Sequence, residues 1–268
     1  MRTKITFLAL VILLPLLLQN CSTKKRAKGP EDEIIIIADT AEYMEIESAL
    51  KETFGKVIHT PQPEELFQIS RHRLSDLKSL QLQKNIIIVA PINSGSFTSN
   101  YLQSIVDSTV KKLFMDDSIF IVNKHDLWAK DQLVMLLSAS NIDVLKQKIE
   151  EKKEDLFYYF RDKSNKRLAK GLYNRKFEQK DIEAKLLKDY GWMMYIQADY
   201  QLAMEQPEDN FVWLRRGVNT DMERWIFIHW IENSTPEYLN VDSISKERDR
   251  LTKKYYRTTI TSITNKCI

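Results

Sequence analysis

Residues 33–39 read Glu33-Ile-Ile-Ile-Ile-Ala-Asp39. An unbroken β-branched run of this length, bounded by charge, is the pattern of a strand buried on both faces; a strand with one wet face would alternate. Working outward, Thr40 can cap a helix in which Tyr43, Ile46, Leu50 and Phe54 recur at helical spacing, and Gly55 closes it. The prolines of Thr60-Pro-Gln-Pro63 make that stretch an extended linker. Lys84-Asn-Ile-Ile-Ile-Val-Ala90 repeats the buried-strand pattern and is stopped by Pro91, and Gln132-Leu-Val-Met-Leu-Leu-Ser138 is a third such run. The spacing predicts a helix over Tyr101–Leu113 and an amphipathic one from Ile142 to about Phe160. Residues 34–160 therefore alternate strand and helix.

Residues 161–268 change character and belong either to the same domain or to a second one. Their first thirty residues are charged and helical in tendency, with Ile182, Leu186, Leu187 and Tyr190 as one apolar stripe. Trp192 to Met204 is aromatic and β-prone. Phe211-Val-Trp-Leu-Arg-Arg216 and Trp225-Ile-Phe-Ile-His-Trp-Ile231 read as two strands of a hairpin joined across Gly217-Val-Asn-Thr220. Tyr238 to Tyr256 reads as a final helix with Leu239, Ile244, Leu251 and Tyr255 on one face. The fold class expected is α+β, with short mixed or antiparallel strands packed by amphipathic helices.

The chain has 268 residues, 43% of them hydrophobic and 29% charged, which is a globular composition. Six glycines leave little material for Gly-rich phosphate loops. At the start, Arg2 and Lys4 precede an apolar run from Ile5 to Leu18, too short to span a bilayer comfortably and ordered like a secretory signal. It ends at Leu17-Leu18-Gln19-Asn20-Cys21, which resembles the lipobox of bacterial lipoproteins: Leu18 fits, and Asn20 stands where a small residue is preferred. The expectation is a cleaved lipoprotein signal peptide over residues 1–20 and a Cys21 that carries acyl chains such as palmitate. Several chains anchor stably where one is marginal.

Removing residues 1–20 takes away Arg2 and Lys4 and leaves 38 basic against 37 acidic side chains. So small a net charge argues against nucleic-acid binding. Residues 21–33 are expected to be a flexible lipid-proximal tether, with Lys24, Lys25, Arg26 and Lys28 beside the headgroups. Localisation follows as the cell envelope, lipid-anchored and facing the periplasm, with membrane lipid as a partner through Cys21.

Several blocks in order, namely Glu33–Asp39, Thr60–Phe67, Lys84–Ala90, Asp126–Val134, Asn210–Arg216, Ile226–Trp230 and Ser245–Asp249, resemble a family of Bacteroidota lipoproteins catalogued as domain of unknown function 4837. The resemblance implies envelope location and fold kinship and carries no activity. Members usually continue beyond the helix holding Ser245–Asp249 with further strand and helix sequence. The end Thr258–Ile268 departs from that pattern, as a truncated chain would.

For chemistry, His59, His72, His125 and His229 are scattered without metal-ligand spacing, and Cys267 is the sole thiol besides Cys21; no metal and no cofactor are expected. Asp39 ends a buried strand, a position where α/β enzymes place acids, although a turn or capping role is the simpler reading. Ser94-Gly95-Ser96 lacks the flanks of a nucleophile elbow. Trp128, in a polar segment before a buried strand, is expected to pack its loop down. The most suggestive surface is the late hairpin. By period two, Phe211, Trp213 and Arg215 share one face, and Trp225, Phe227, His229 and Ile231 share one of its neighbour. Were those faces to coincide, they would make either an aromatic core or a recognition groove. The preferred reading is a non-enzymatic binding or assembly accessory for an envelope protein or polymer. The alternative is a hydrolase acting on an envelope polymer, with Asp39 and His229 as acid and base.

Overall fold

The computed structural model describes residues 24–59 and 62–256. The expected signal peptide over residues 1–20, Cys21, Cys267 and the Thr258–Ile268 end lie outside the described residues. Contacts divide the chain into two compact units, up to Ser164 and from Asn165.

The first unit runs β1 (Glu33–Ile37), α1 (Thr40–Phe54), β2 (Val57–His59), β3 (Pro63–Glu65), β4 (Gln68–His72), α2 (Leu77–Leu80), β5 (Asn85–Val89), α3 (Phe97–Ile105), α4 (Ser108–Met115), β6 (Ile121–His125), β7 (Leu133–Leu137), α5 (Ile142–Glu151) and the start of α6 (Lys153–Leu172). Its main sheet has the order β4-β1-β5-β7-β6. The first four are parallel and β6 is antiparallel to β7. Helices on both faces explain the continuous apolar runs. Ile34, Ile36, Ile87 and Met135 meet α1, α5 and the start of α6, while Ile35, Ile37, Ile86, Ile88 and Val134 meet α2 and α3. All three runs read as buried strands are buried throughout the sheet, save Glu33 at the entrance.

Differences from the sequence reading have local causes. The helix expected over Tyr101–Leu113 is two helices. Ser96 caps α3 four residues earlier, by accepting the Ser99 N–H at 3.1 Å. The chain then turns extended at Val106 (φ −111°, ψ 150°), and Asp107 caps α4 through Val110 N–H at 2.9 Å. The helix expected from Ile142 breaks at Lys152 (φ −110°, ψ 20°). Strands β4 and β6 were not expected: as sheet edges they are only half-buried, and Arg71, His72, Asn123 and Lys124 obscure their pattern. Pro63, expected in a linker, opens β3, which pairs with β2. Lys25 to Lys28, expected as free tether, are strapped to the unit by backbone bonds: Lys130 N–H to Lys25 O, Ala27 N–H to Lys130 O and Lys28 N–H to Leu82 O.

The second unit holds the last turns of α6, then α7 (Lys180–Tyr190), β8 (Tyr200–Gln206), β9 (Phe211–Arg216), β10 (Arg224–His229) and α8 (Val241–Tyr256). Gly191, at φ +75°, supplies the left-handed residue that ends α7. Its three strands form an antiparallel sheet in the order β10-β9-β8. Val212, Leu214, Ile226 and Ile228 pack with Leu186 of α7 on one face, and Phe211, Trp213, Trp225 and Phe227 pack with Leu251 of α8 on the other. Of Trp192 to Met204, expected to be β-prone, the part from Tyr200 lies in β8, while Trp192 to Ile196 stays irregular and lays Trp192 and Met194 against the α7 side. Strand β10 runs Arg224–His229, starting one residue before and ending two residues before the expected Trp225–Ile231, and α8 begins at Val241, with Tyr238 in a preceding 3₁₀ turn. The protein is thus α+β, mixed strands in one unit and antiparallel strands in the other. Among the described residues no helix is long and apolar enough to cross a membrane.

Candidate functional site

Antiparallel register decides what the aromatic hairpin can be. Trp225 lies opposite Arg215, Phe227 opposite Trp213 and His229 opposite Phe211, so the two alternating sets do share one face. An amphipathic helix from the same unit, α8, covers it. The Tyr255 ring stacks on Phe211 (4.8 Å between centroids, planes 4° apart), and Leu251 is buried beside it. Trp213 is only 7% exposed and meets the rings of Trp225 and Phe227 edge-on at 5.5 and 5.4 Å. Phe211 and Trp213 are core, while Trp225 and Phe227 are half-buried at its margin.

Toward the turn end, polar groups are tied to one another. Arg215 Nε donates to Glu223 Oε1 at 2.6 Å, the Trp225 indole N–H donates to the same oxygen at 2.5 Å, and the Arg215 guanidinium lies 5.3 Å from the Trp213 ring centre. The Trp225 hydrogen bond and then the Arg215 contact hold the Glu223 carboxyl below the usual carboxylate range.

At the other end, the sheet and α8 part around a cavity of about 450 Å³. Phe227, Ile231, Leu239, Ile244 and Leu251 supply its apolar lining. Leu239 is 78% and Ile244 55% exposed, so its mouth is apolar and wet. One wall is polar. His229 presents Nδ1 to Asn210 O at 3.0 Å and Nε2 to Glu247 Oε1 at 3.0 Å. Glu247 also accepts from Arg250 Nε at 2.8 Å, and this contact above all keeps its carboxyl below the usual range. Asp209 extends the network by accepting from Lys254 and the Tyr255 hydroxyl. Arg248 lines the cavity and is 45% exposed. A cavity of this size falls within the range of small-molecule sites, roughly 300–1,000 Å³, and its balance of apolar lining and few polar groups is typical of them.

The structure thus brings Trp213, Arg215, Trp225, Phe227 and His229 onto one face, of which Phe227 and His229 reach the cavity. Asp39 lies in the other unit, where its carboxylate accepts the Thr98 N–H at 2.8 Å. Trp128 packs with the apolar side chains under its loop, as expected. Among the described residues no group of three His, Cys, Asp or Glu side chains could hold a metal ion. Sequence reading missed Glu247, Arg250 and Asn210. For Glu247 the signal lay in the Ser245–Asp249 block, whose charges continue into Arg250 on an amphipathic helix, and Asn210 opens the Asn210–Arg216 block.

A family model described as Domain of unknown function (DUF8532) matches residues 27–173, and one described as Domain of unknown function (DUF4837) matches residues 178–265. The second is the family named from the sequence. It takes in the blocks at Asn210–Arg216, Ile226–Trp230 and Ser245–Asp249, whereas those from Glu33 to Val134 fall within the first. No curated protein and no solved structure matches the chain.

Proposed function

We propose that this chain, which belongs to the DUF8532 family, is a lipid-anchored, non-enzymatic binding protein of the cell envelope, facing the periplasm, and that its ligand is the acyl chain of an anionic amphiphile. The observation that carries the ligand is the cavity beside α8: apolar lining, an exposed apolar mouth, and at its wall a half-exposed Arg248, held by Asp249 at 2.7 Å, whose remaining N–H groups can meet an anionic head. Both ring nitrogens of His229 are taken, by Asn210 O and by Glu247, which leaves neither for a substrate and suits a wall. The anchor rests on the residues before and at Cys21. It would hold the cavity beside the membrane that supplies such amphiphiles.

Two measurements test the two halves separately. Intact-mass analysis of the protein extracted from membranes should find residue 21 as the N-terminus carrying acyl chains, and Cys21→Ser should leave the leader uncleaved. An unmodified sulfur on a processed chain would sink the anchor. For the ligand, a fluorescent fatty acid titrated into the protein should bind, and Ile244→Asp should weaken it about tenfold, roughly 1.4 kcal/mol. Because Ile244 is exposed, the circular dichroism of that variant should be unchanged. Wild-type protein that fails to bind, or a variant that binds equally, removes the ligand reading.

A further inference from the structure

The parallel sheet of the first unit reverses its winding between β1 and β5. From the end of β1, α1 packs on the face of Ile34 and Ile36; from the end of β5, α3 packs on the opposite face, with Leu102 against Ile35 and Ile88. In open α/β sheets, the crevice between two such diverging loops, at the carboxyl ends of the strands, is where ligands bind.

The chemistry gathered there is mixed. Asp39 follows β1 and spans the gap through its bond to Thr98 N–H, the second residue of α3. Glu42, in the first turn of α1, lies beside the Ser94 and Ser96 hydroxyls, which bond each other at 3.0 Å. Burial pushes the Glu42 carboxyl up, the two hydroxyls pull it back, and the Asp39 charge adds to the rise. Arg71, at the end of β4, reaches over Ala38 O at 3.3 Å and donates to the Thr40 hydroxyl. At this crevice two enclosed oxygens have no hydrogen-bond partner among the described residues, Glu42 Oε2 and Thr98 Oγ1, the latter on a side chain with no exposure. Between the serines, Gly95 holds φ +73° with nothing within 4 Å of where a Cβ would sit. Next to Ser96, the Phe97 ring is 78% exposed.

We propose that this crevice binds a neutral saccharide, whose hydroxyls meet Glu42, Ser94 and Ser96 while the Phe97 ring takes the apolar face of a sugar ring. Each sugar hydroxyl both donates and accepts, which matches a set of hydroxyls and a carboxyl better than a set of one kind. An anion is disfavoured: the Asp39 carboxylate already takes the N–H that a phosphate would seek at the start of α3, and Glu42 stands beside it. A metal ion would need a third ligand that the described residues do not supply. The exposed aromatic ring gains its role from this neighbourhood, since a lone exposed apolar side chain needs no explanation.

The test is saturation-transfer NMR on the full chain. The probes are a β-1,4-linked N-acetylglucosamine tetrasaccharide, maltotetraose and, as the anionic comparison, glucose 6-phosphate. At least one neutral oligosaccharide should receive saturation. Phe97→Ala and Glu42→Ala should each weaken it about tenfold, and Glu42→Gln, which keeps an acceptor oxygen and adds a donor, by less than about threefold. No transfer to either oligosaccharide, a preference for the phosphate, or binding indifferent to Phe97→Ala and Glu42→Ala overturns the proposal. Ile244→Asp should leave this binding unchanged, so the result is independent of the acyl-chain reading.

Discussion

Trp213→Ala is expected to unfold the second unit's sheet, at a cost of about 3–5 kcal/mol. The indole is 7% exposed, edge-on to Trp225 and Phe227, and lies in the cluster closed by Leu251 and Tyr255 of α8. Truncation removes its transfer free energy and leaves a cavity among rings that cannot all collapse inward, because β9 is paired on both sides. It also strips the ring over which Arg215 sits. Such a loss takes a large share of the roughly 5–15 kcal/mol that keeps a domain folded. A thermal melt followed by near-ultraviolet circular dichroism reads it, with Ile244→Asp as the exposed comparison expected within about 0.5 kcal/mol of wild type. A Trp213→Ala protein that melts where the wild type does would return the hairpin face to the role of a recognition surface and remove it from the core.

How far the fold could be read in advance depended on where each element sits. Strands β1, β5 and β7 declare themselves because a strand with helices on both faces is apolar through its middle, and the buried polar residue of β5, Asn85, stands at its first position. The edges do not: Gln68-Ile-Ser-Arg-His72 and Ile121-Val-Asn-Lys-His125 have one flank in water, and their polar residues cancel the pattern. The break at Val106 has no Gly or Pro to mark it. Only Asp107, two residues past the end of α3, carries a capping signal.

The sites divide in the same way. Period two was enough to place Trp213, Phe227 and His229 on one face. The cavity beside them needed the path of α8, which brings Glu247 to His229 from 18 residues away. Asp39 shows the limit of local reading most plainly. It stands at the N-cap position of α1, yet its carboxylate makes no bond there and caps α3 instead, 59 residues on. A residue type predicts that a cap will be made; the sheet order decides whose N–H receives it.

The same principle governs Gln132, whose replacement by Leu is expected to cost about 3–5 kcal/mol, from several backbone groups left unpaired at roughly 1–3 kcal/mol each. From sequence it is merely the polar first residue of an apolar run. In the structure it precedes β7, wholly buried, and serves as a connector. Its Oε1 accepts from Trp128 N–H at 3.0 Å, and its Nε2 donates to Gln81 O at 2.8 Å and Gln83 O at 2.7 Å. Two loops from opposite sides of β5 in sequence are thereby joined, and the strap of Lys25 to Lys28 bonds to both, at Lys130 and at Leu82. Leu would match the volume of Gln but satisfy none of these groups, while Gln132→Glu would keep the acceptor, lose both donors and bury a charge; it should be the worse of the two. Amide hydrogen exchange should therefore accelerate at Ala27, Lys28, Trp128 and Lys130 in Gln132→Leu, with the centres of β1 and β5 changing least. Unchanged protection at these four amides, together with an unchanged melting temperature, would mean that the strap and loops hold their places without this side chain.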